Sequence, residues 1–326
     1  MNRIIITGGN GFIGRHLVKK LLFCNPRSIV LIANKFSFND KALTDKNLKD
    51  DIELLSYTAD IRDAKAISEI FENERPDTCI HLAAKISVAE SIKNPNETMD
   101  INAKGTLNVL EASYNSHVNN FIFASSAAVY GDPKKLPISE NQALQPLSPY
   151  GASKMLAEQH VLSYNKSKKI PNTISLRIFN VYGPGQSSQL DVISRFAERL
   201  SKGLPPIIHG NGTRTRDFIS IDDVTDGIIQ SIRAIEELQN SNDVLTSSVF
   251  NLGTGMPTSI NELAQKMIDI SNLDVQPVYK EETADSREIM HSYADMTNSK
   301  ELLHFVAKKE IETGLREIMG PMLIRK

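Results

Sequence analysis

Tyr150 and Lys154 stand four residues apart in the run PYGASK (149–154), a spacing that sets both side chains on one face of a helix. A phenol ionises near about pH 10, so Tyr150 becomes a usable base only beside a cation. Lys154, together with a positively charged cofactor ring, can supply that field. Tyr and Lys at this spacing also decorate ordinary helices, so their company decides. The apolar run 120–124 leads into Ser125 and Ser126, and the strand ends of an open parallel sheet are where ligands gather. Ser126 is therefore placed to bind a reacting oxygen, although either serine can also serve only to cap a turn.

A second cluster lies near the start of the chain. TGGNGFIG (7–14) places Gly8, Gly11 and Gly14 at a G-x-x-G-x-x-G spacing between an apolar strand-like run and an amphipathic segment. Glycines there permit a tight turn and close backbone approach to a pyrophosphate, whose charge faces a helix N-terminus. Dinucleotide binding is the expectation. The second apolar run ends in Ile32, Ala33, Asn34 and Lys35, without the acid that grips the ribose hydroxyls of NAD. Asn34 can still exchange hydrogen bonds with a ribose and Lys35 can meet the extra phosphate of NADP. The cofactor choice leans to NAD with NADP open. Asp60, after the third run, is placed either for the adenine edge or to cap the helix beginning at Ala64.

The elements that must hold these residues alternate. Strand-like runs at 3–7, 28–33, 52–57, 78–82, 120–124 and 173–178 are separated by helical segments at 12–22, 64–74, 99–115 and 150–167. Such alternation predicts an α/β fold with a doubly wound parallel (Rossmann) sheet. The lysine- and aspartate-containing stretch 34–51 reads as a solvated connection. After Gly183 the order loosens into a helix at 192–202, a break at Pro205 and Pro206, and a helix after Asp222 and Asp223, which read as its cap. The expected division is a dinucleotide-binding domain over 1–182, with chain crossings, and a smaller, mainly substrate-binding α/β domain over 183–326.

Composition excludes several classes. The 326 residues include 40% hydrophobic and 23% charged residues, ordinary values for a globular chain. A net charge of -2 offers no basic field for nucleic acid or an anionic membrane. Cys24 and Cys79 both lie in apolar stretches, as reduced core thiols do. No apolar run approaches the roughly 18 residues of a membrane span, and a strand starting at Arg3 leaves no room for a signal peptide. A cytoplasmic protein is expected. The histidines are scattered, so no metal site is expected.

Together, TGGNGFIG, HLAAK (81–85), Asn102, SSAAVYG (125–131), Tyr150 with Lys154, RIFNVYGPG (177–185), RDFISIDDV (216–224), NLGTG (251–255) and SYAD (292–295) resemble the extended short-chain dehydrogenase/reductase family along essentially the whole chain. Within it the likeness is to nucleotide-sugar 4-epimerases of UDP-glucose/UDP-galactose type. The resemblance implies a catalytic triad of Ser126, Tyr150 and Lys154. It implies a cofactor held by Gly8, Gly11, Phe12, Ile13 and Gly14, by Asn34, Lys35, Asp60 and Ile61, and by Leu82, Ala83, Ala84 and Lys85. Asn102, Ser125, Phe179 and Val181 complete that set, with Tyr150 and Lys154. It implies substrate contacts from Lys85, Ser126, Tyr150, Asn180, Arg216, Arg287 and Ser292. Arg287 sits two residues beyond the place of the family's diphosphate arginine, which here is Asp285. Ser292 stands where plain-hexose enzymes carry a bulky tyrosine, so room for an N-acetyl group is expected. The partner implied is a nucleotide sugar, a UDP-hexose, and the helices at 99–115 and 150–167 resemble those that form a homodimer.

Two other readings compete. A 4,6-dehydratase needs an additional acid and base, and the positions that carry its Asp-Glu pair are Ala127 and Ala128 here, which transfer no proton. A catalytically idle, cofactor-bound regulatory protein is opposed by the presence of the triad.

Overall fold

The computed structural model describes residues 2–35, 52–187, 191–241, 248–281 and 289–323. In chain order these form β1 (Arg3–Thr7), α1 (Phe12–Leu21), β2 (Ser28–Ala33), β3 (Glu53–Thr58), α2 (Ala64–Glu74), β4 (Thr78–His81), α3 (Val88–Lys93), α4 (Pro95–Met99), α5 (Gly105–Asn115) and β5 (Asn120–Ser126). There follow α6 (Pro149–Lys166), β6 (Asn172–Ile178), β7 (Asn180–Tyr182), α7 (Val192–Ser201), β8 (Ile207–His209), β9 (Thr215–Ser220) and α8 (Ile221–Ser241). The remainder is β10 (Val249–Leu252), β11 (Pro257–Ser259), α9 (Ile260–Ser271), β12 (Val278–Lys280), β13 (His291–Ser292), α10 (Thr297–Leu302) and α11 (Ile311–Leu323).

Among the described residues the main sheet has seven parallel strands in the order β10-β6-β5-β4-β1-β2-β3. Its order reverses at β1, where a doubly wound sheet opens a crevice at the strand ends. Alternation along β1 explains the layers. Ile4 and Ile6 join Leu17, Val18 and Leu21 of α1 and the apolar side of α8 on one face. Ile5 joins Ile67 and Phe71 of α2, Val109 and Leu110 of α5, and Val161 of α6 on the other. Both faces are covered, so the strands read as continuous apolar runs.

The chain does not divide cleanly at 182/183. β7 already pairs with β9 of a second sheet that also holds β11 and β13, whereas α8 and β10 return to the first. Their apolar residues belong to the main core, so they fold with it. A further cluster of α7, α9 and α11, with Phe196, Met267 and Leu315 buried, supports the second sheet.

The expected helix at 99–115 starts earlier, at Pro95, and is interrupted by a π-turn over Asp100–Lys104 before α5. β5 runs on to include Ser125 and Ser126. Asp222 and Asp223 are not the cap of α8. They lie in its first turn, and Ser220 accepts the backbone N–H of Asp223 at 3.0 Å. Most of the connection expected at 34–51 lies outside the described residues, as do Asp285 and Arg287.

Candidate functional site

A cavity of about 630 Å³ opens at the carboxyl ends of β1 to β4. It is lined by Gly8, Gly11, Phe12, Ile13 and Gly14 from the first turn, Asn34 and Lys35 after β2, Asp60 and Ile61 after β3, and Leu82, Ala83, Ala84 and Lys85 after β4. Val181 closes one side. These expected residues thus converge from four separate strand ends.

The first turn is built for close approach. The Gly8 N–H donates to Ile32 O at 2.7 Å and the Gly11 N–H to Gly8 O at 2.8 Å, folding the loop back over the sheet. Gly8 has φ +72, and a Cβ there would stand 2.7 Å from Ala83 N. A Cβ on Gly14 would stand 2.5 Å from Gly8 O, so only glycine lets the helix start this close to the loop. The floor beside the N-terminus of α1 suits a pyrophosphate, and the cavity fits a dinucleotide.

Several lining residues escaped the sequence reading: Asn10, Arg62, Ile86, Glu97, Ile101 and Gln186. Asn10 lies inside the glycine motif, where spacing draws attention to its neighbours. Arg62 clasps Asp60 through Nη2 at 2.6 Å, and that guanidinium holds the Asp60 carboxyl below its usual range. Asp60 is not the cap of α2; Asp63 is, accepting the Ala66 N–H at 3.1 Å. Lys85 and Glu97 form an ion pair at the cavity wall.

A chain of hydrogen bonds runs from this wall to the turn carrying Tyr150. Asn102, 1% exposed on the π-turn, accepts the Lys85 N–H at 2.7 Å and donates to Lys85 O at 2.9 Å. The same amide donates to Ser153 Oγ at 2.9 Å, and Ser153 donates to Tyr150 O at 2.7 Å. The extra residue of a π-turn aims Asn102 at both partners. Asn102 therefore acts behind the cavity rather than on its surface. Ser148 caps α6 by accepting from the Gly151 N–H at 3.1 Å, and buried Ser91 accepts the Tyr150 N–H at 3.1 Å.

Ser126 at the end of β5 meets Tyr150 at the start of α6, and Lys154 follows one turn further along the helix. Burial pushes the Tyr150 phenol above its ordinary value, and a hydrogen bond with Ser126 pulls the other way. Burial pushes Lys154 down to about 7, with Glu158 opposing. Its Nζ lies 4.3 Å from the Phe123 ring centroid, so the cation has a π-face in place of water. Burial favours the neutral form of both, so Lys154 needs the second positive charge, the cofactor ring, that the sequence reading sets beside it. Ser126 Oγ also accepts the Ala128 N–H at 3.2 Å, capping the short turn of Ala127 and Ala128.

Ser125 points elsewhere. It donates to Glu158 at 2.7 Å, and Glu158 pairs with Arg177 at 2.6 Å, both fully or nearly buried. Arg177 donates to Tyr130 Oη at 3.0 Å, and Tyr130 donates to Asn251 at 2.6 Å. Phe179 is buried in a small cluster with Tyr130 and Ala294, away from the lining set.

The remaining expected residues gather on the second sheet. Asn180 is exposed on β7, opposite Phe218 of β9. Arg216 on β9 pairs in register with Ser292 on β13. Burial pushes Arg216 down to about 10, with Arg214 contributing, and its Nη1 donates to Thr215 O at 2.8 Å. Ser292 is 7% exposed, so its hydroxyl faces protein rather than solvent.

The model of the family described as GDP-mannose 4,6 dehydratase matches residues 5–318. A putative UDP-glucose 4-epimerase of Methanocaldococcus jannaschii is 39% identical over 267 residues, 80% of this chain and 79% of its own length. The solved UDP-glucose 4-epimerase of Thermotoga maritima with UDP-glucose is 32% identical, covers 100% of this chain and 99% of its own, and superposes with a TM-score of 0.85. That of Thermus thermophilus, in complex with NAD, is 26% identical with a TM-score of 0.81 and covers 98% of each chain.

Proposed function

Because the chain belongs to the epimerase/dehydratase branch of the extended short-chain dehydrogenase/reductase family, we propose that it is an NAD-dependent 4-epimerase of nucleotide sugars, interconverting UDP-glucose and UDP-galactose through a 4-keto sugar. The observation that carries this is the hydrogen-bonded continuity from the dinucleotide cavity, through Asn102 and Ser153, to the turn that presents Tyr150 beside Ser126.

Gly8, Gly11 and Gly14 would hold the cofactor's pyrophosphate, with Leu82, Ala83 and Lys85 along its length. NAD, when bound, supplies a reversible hydride acceptor and a positive ring. Tyr150 Oη takes the proton of the sugar 4-hydroxyl and later returns one to the 4-keto oxygen, each time by a short transfer in a site screened from water. Ser126 Oγ donates to the same oxygen and stabilises the charge that develops there. Lys154, whose proton is loosely held, favours the phenolate when protonated. Arg216 offers a planar fork for the diphosphate. A substrate held mainly through that diphosphate can turn its sugar and receive the hydride on the other face, so C4 inverts with no net oxidation.

The dehydratase reading takes some support from the description of the matching family. It requires an acid and a base at the turn after Ser126, where Ala127 and Ala128 stand. Incubation with UDP-glucose separates the two: the expected product is UDP-galactose, and a 4-keto-6-deoxy sugar as the main product would overturn the epimerase reading.

We further infer a homodimer through α5 and α6, supported by Tyr114 and Leu156, each 41% exposed on these helices. Sedimentation at micromolar concentration tests it. Both cysteines are free thiols, which supports a reducing, cytoplasmic setting. No helix among the described residues is long and apolar enough to cross a membrane.

A further inference from the structure

Helix α6 presents two opposite charges to the sheet, one turn apart. Lys154, 3% exposed, and Glu158, 0% exposed, are four residues apart, so they share the inward side of the helix with Gly151 and Val161. Their side chains then diverge. Lys154 reaches the Phe123 ring of β5, whereas Glu158 turns to Ser125 and Arg177. The carboxylate therefore acts on the ammonium through space, and its field favours the charged form of Lys154 against the pull of burial.

The carboxylate is held with both oxygens engaged. Oε1 accepts from Arg177 Nη2 at 2.6 Å and Oε2 from Ser125 Oγ at 2.7 Å, while Arg177 Nε lies 3.2 and 3.1 Å from the two. Ser125 and Arg177 are partners in register on β5 and β6, so the sheet itself sets the clamp. Among the described residues the buried acids are Glu158, Asp217 and Asp223, and the last two belong to β9 and α8. A buried ion pair is a weak source of stability, because desolvating both charges offsets their attraction. What this one supplies is a fixed negative charge one turn beyond Lys154.

We propose that Glu158 is a positioning residue for the proton on Lys154: its carboxylate, moderated by Arg177 and Ser125, keeps the ammonium charged one turn from Tyr150 and so sets when the phenol can act as a base. The proposal rests on the reading of Tyr150 as that base. Other groups around Lys154 do not supply the anion. From β4, His81 stacks on the far partner of the same contact, Phe123, and burial pushes it down to about 3, so it stays neutral. β6 presents Arg177 and the turn after β5 presents Tyr130, which are joined to each other at 3.0 Å. The charges on α3, α4, the π-turn and α5, among them Glu90, Glu97, Asp100, Lys104 and Glu111, are exposed or half-buried. Glu158 also acts on Tyr150 directly and with the opposite sign, but from two turns away and with Arg177 beside it, so the route through Lys154 prevails.

Two readouts on the holoenzyme test it: the pH profile of kcat with UDP-glucose, and the ionisation of Tyr150 itself. The chain has no tryptophan, so tyrosinate absorbance stands clear, and subtracting the titration of a Tyr150→Phe protein isolates Tyr150 from the other tyrosines. In Glu158→Gln the amide oxygen still accepts from Arg177, but the guanidinium is left uncompensated behind Lys154 and the ammonium loses its proton at lower pH. The Tyr150 midpoint and the rising limb of kcat should then both move up by at least about one pH unit. Ser125→Ala withdraws a single neutral hydrogen bond from the carboxylate, at little cost to the fold, and should move both readouts down by about 0.3 pH unit. An unmoved midpoint in Glu158→Gln with kcat lowered alike at every pH, or shifts of the same sign in the two variants, overturns the proposal. Should Glu158→Gln not fold, an unmoved midpoint in Ser125→Ala overturns it. Shifts of opposite sign in a protein that converts no nucleotide sugar uphold the proposal and overturn the epimerase reading instead.

Discussion

Replacing Tyr150 by phenylalanine removes one hydroxyl and almost no volume, so it isolates proton transfer from packing. Tyr150→Phe is expected to lose at least about 10²-fold in kcat while retaining its cofactor, since the cavity-lining residues are untouched; near-normal kcat would remove the tyrosine from its role. Lys154 carries a different signature. Its pKa falls from 10.5 to about 7, so between these values the unfolded chain holds a proton that the folded chain lacks, and stability rises with pH. Below about 7 the full cost of a buried cation stands. Lys154→Met keeps the apolar stem and removes that cost. At matched cofactor content it should therefore be inactive yet more stable than the parent at neutral pH and below, by roughly 1–4 kcal/mol, with the gap closing toward the lysine's ordinary value. Melting curves across pH decide this, and a constant gap contradicts it. Ser292, buried and in register with Arg216, stands by resemblance where plain-hexose enzymes carry a tyrosine, so it is expected to govern the size of the sugar. Ser292→Tyr should suppress turnover of UDP-N-acetylglucosamine by at least about tenfold more than that of UDP-glucose; equal losses on both sugars would refute the gate. The glycines, Tyr150 and Lys154 were legible because each set falls in one short run. Asn10 was not, because its partner Lys35 is brought by another strand, and Arg62 was not, because a pair two residues apart in a loop carries no periodic signal.

At the scale of elements, β1, β2, β4, β5 and β6 announce themselves as apolar runs because both faces of the sheet are covered, whereas β3, at the sheet edge, is half exposed. The four-residue β10 does not, because it stands outside the strand–helix alternation of the first half and far in sequence from its partner β6. The π-turn of Asp100–Lys104 is equally silent, since one added residue per turn leaves no mark in the spacing of apolar positions. Caps are where local chemistry speaks. Ser259 and Glu262 form a reciprocal capping box on α9, with the Glu262 N–H donating to Ser259 Oγ at 3.1 Å and the Ser259 N–H to Glu262 at 2.7 Å. Ser259→Ala should lower unfolding free energy by about 1 kcal/mol in a chemical melt, with kcat/KM unchanged. A loss of turnover at full stability would instead place α9 in the reaction.

Across the whole molecule, the ion pair of Arg177 and Glu158 ties β6 to α6, and Tyr130 with Asn251 carries the connection to β10. No local pattern foretells it, because its members come from four distant segments. Arg177→Leu leaves a carboxylate buried without its cation and should cost about 3–5 kcal/mol, whereas Arg177→Met with Glu158→Leu together should cost markedly less. Equal losses in the two proteins would show that packing, not charge, governs the site. The position of β10 also imposes an order of assembly on a chain made from its N-terminus. When Ile178 leaves the ribosome, the four strands whose ends line the cofactor cavity, β1 to β4, exist, yet β6 is a bare sheet edge and stays so until Leu252 follows. During the synthesis of those intervening residues the cavity strands are complete but the sheet is adhesive, so a stalled or truncated chain ending between the two has an open template for pairing with its own copies.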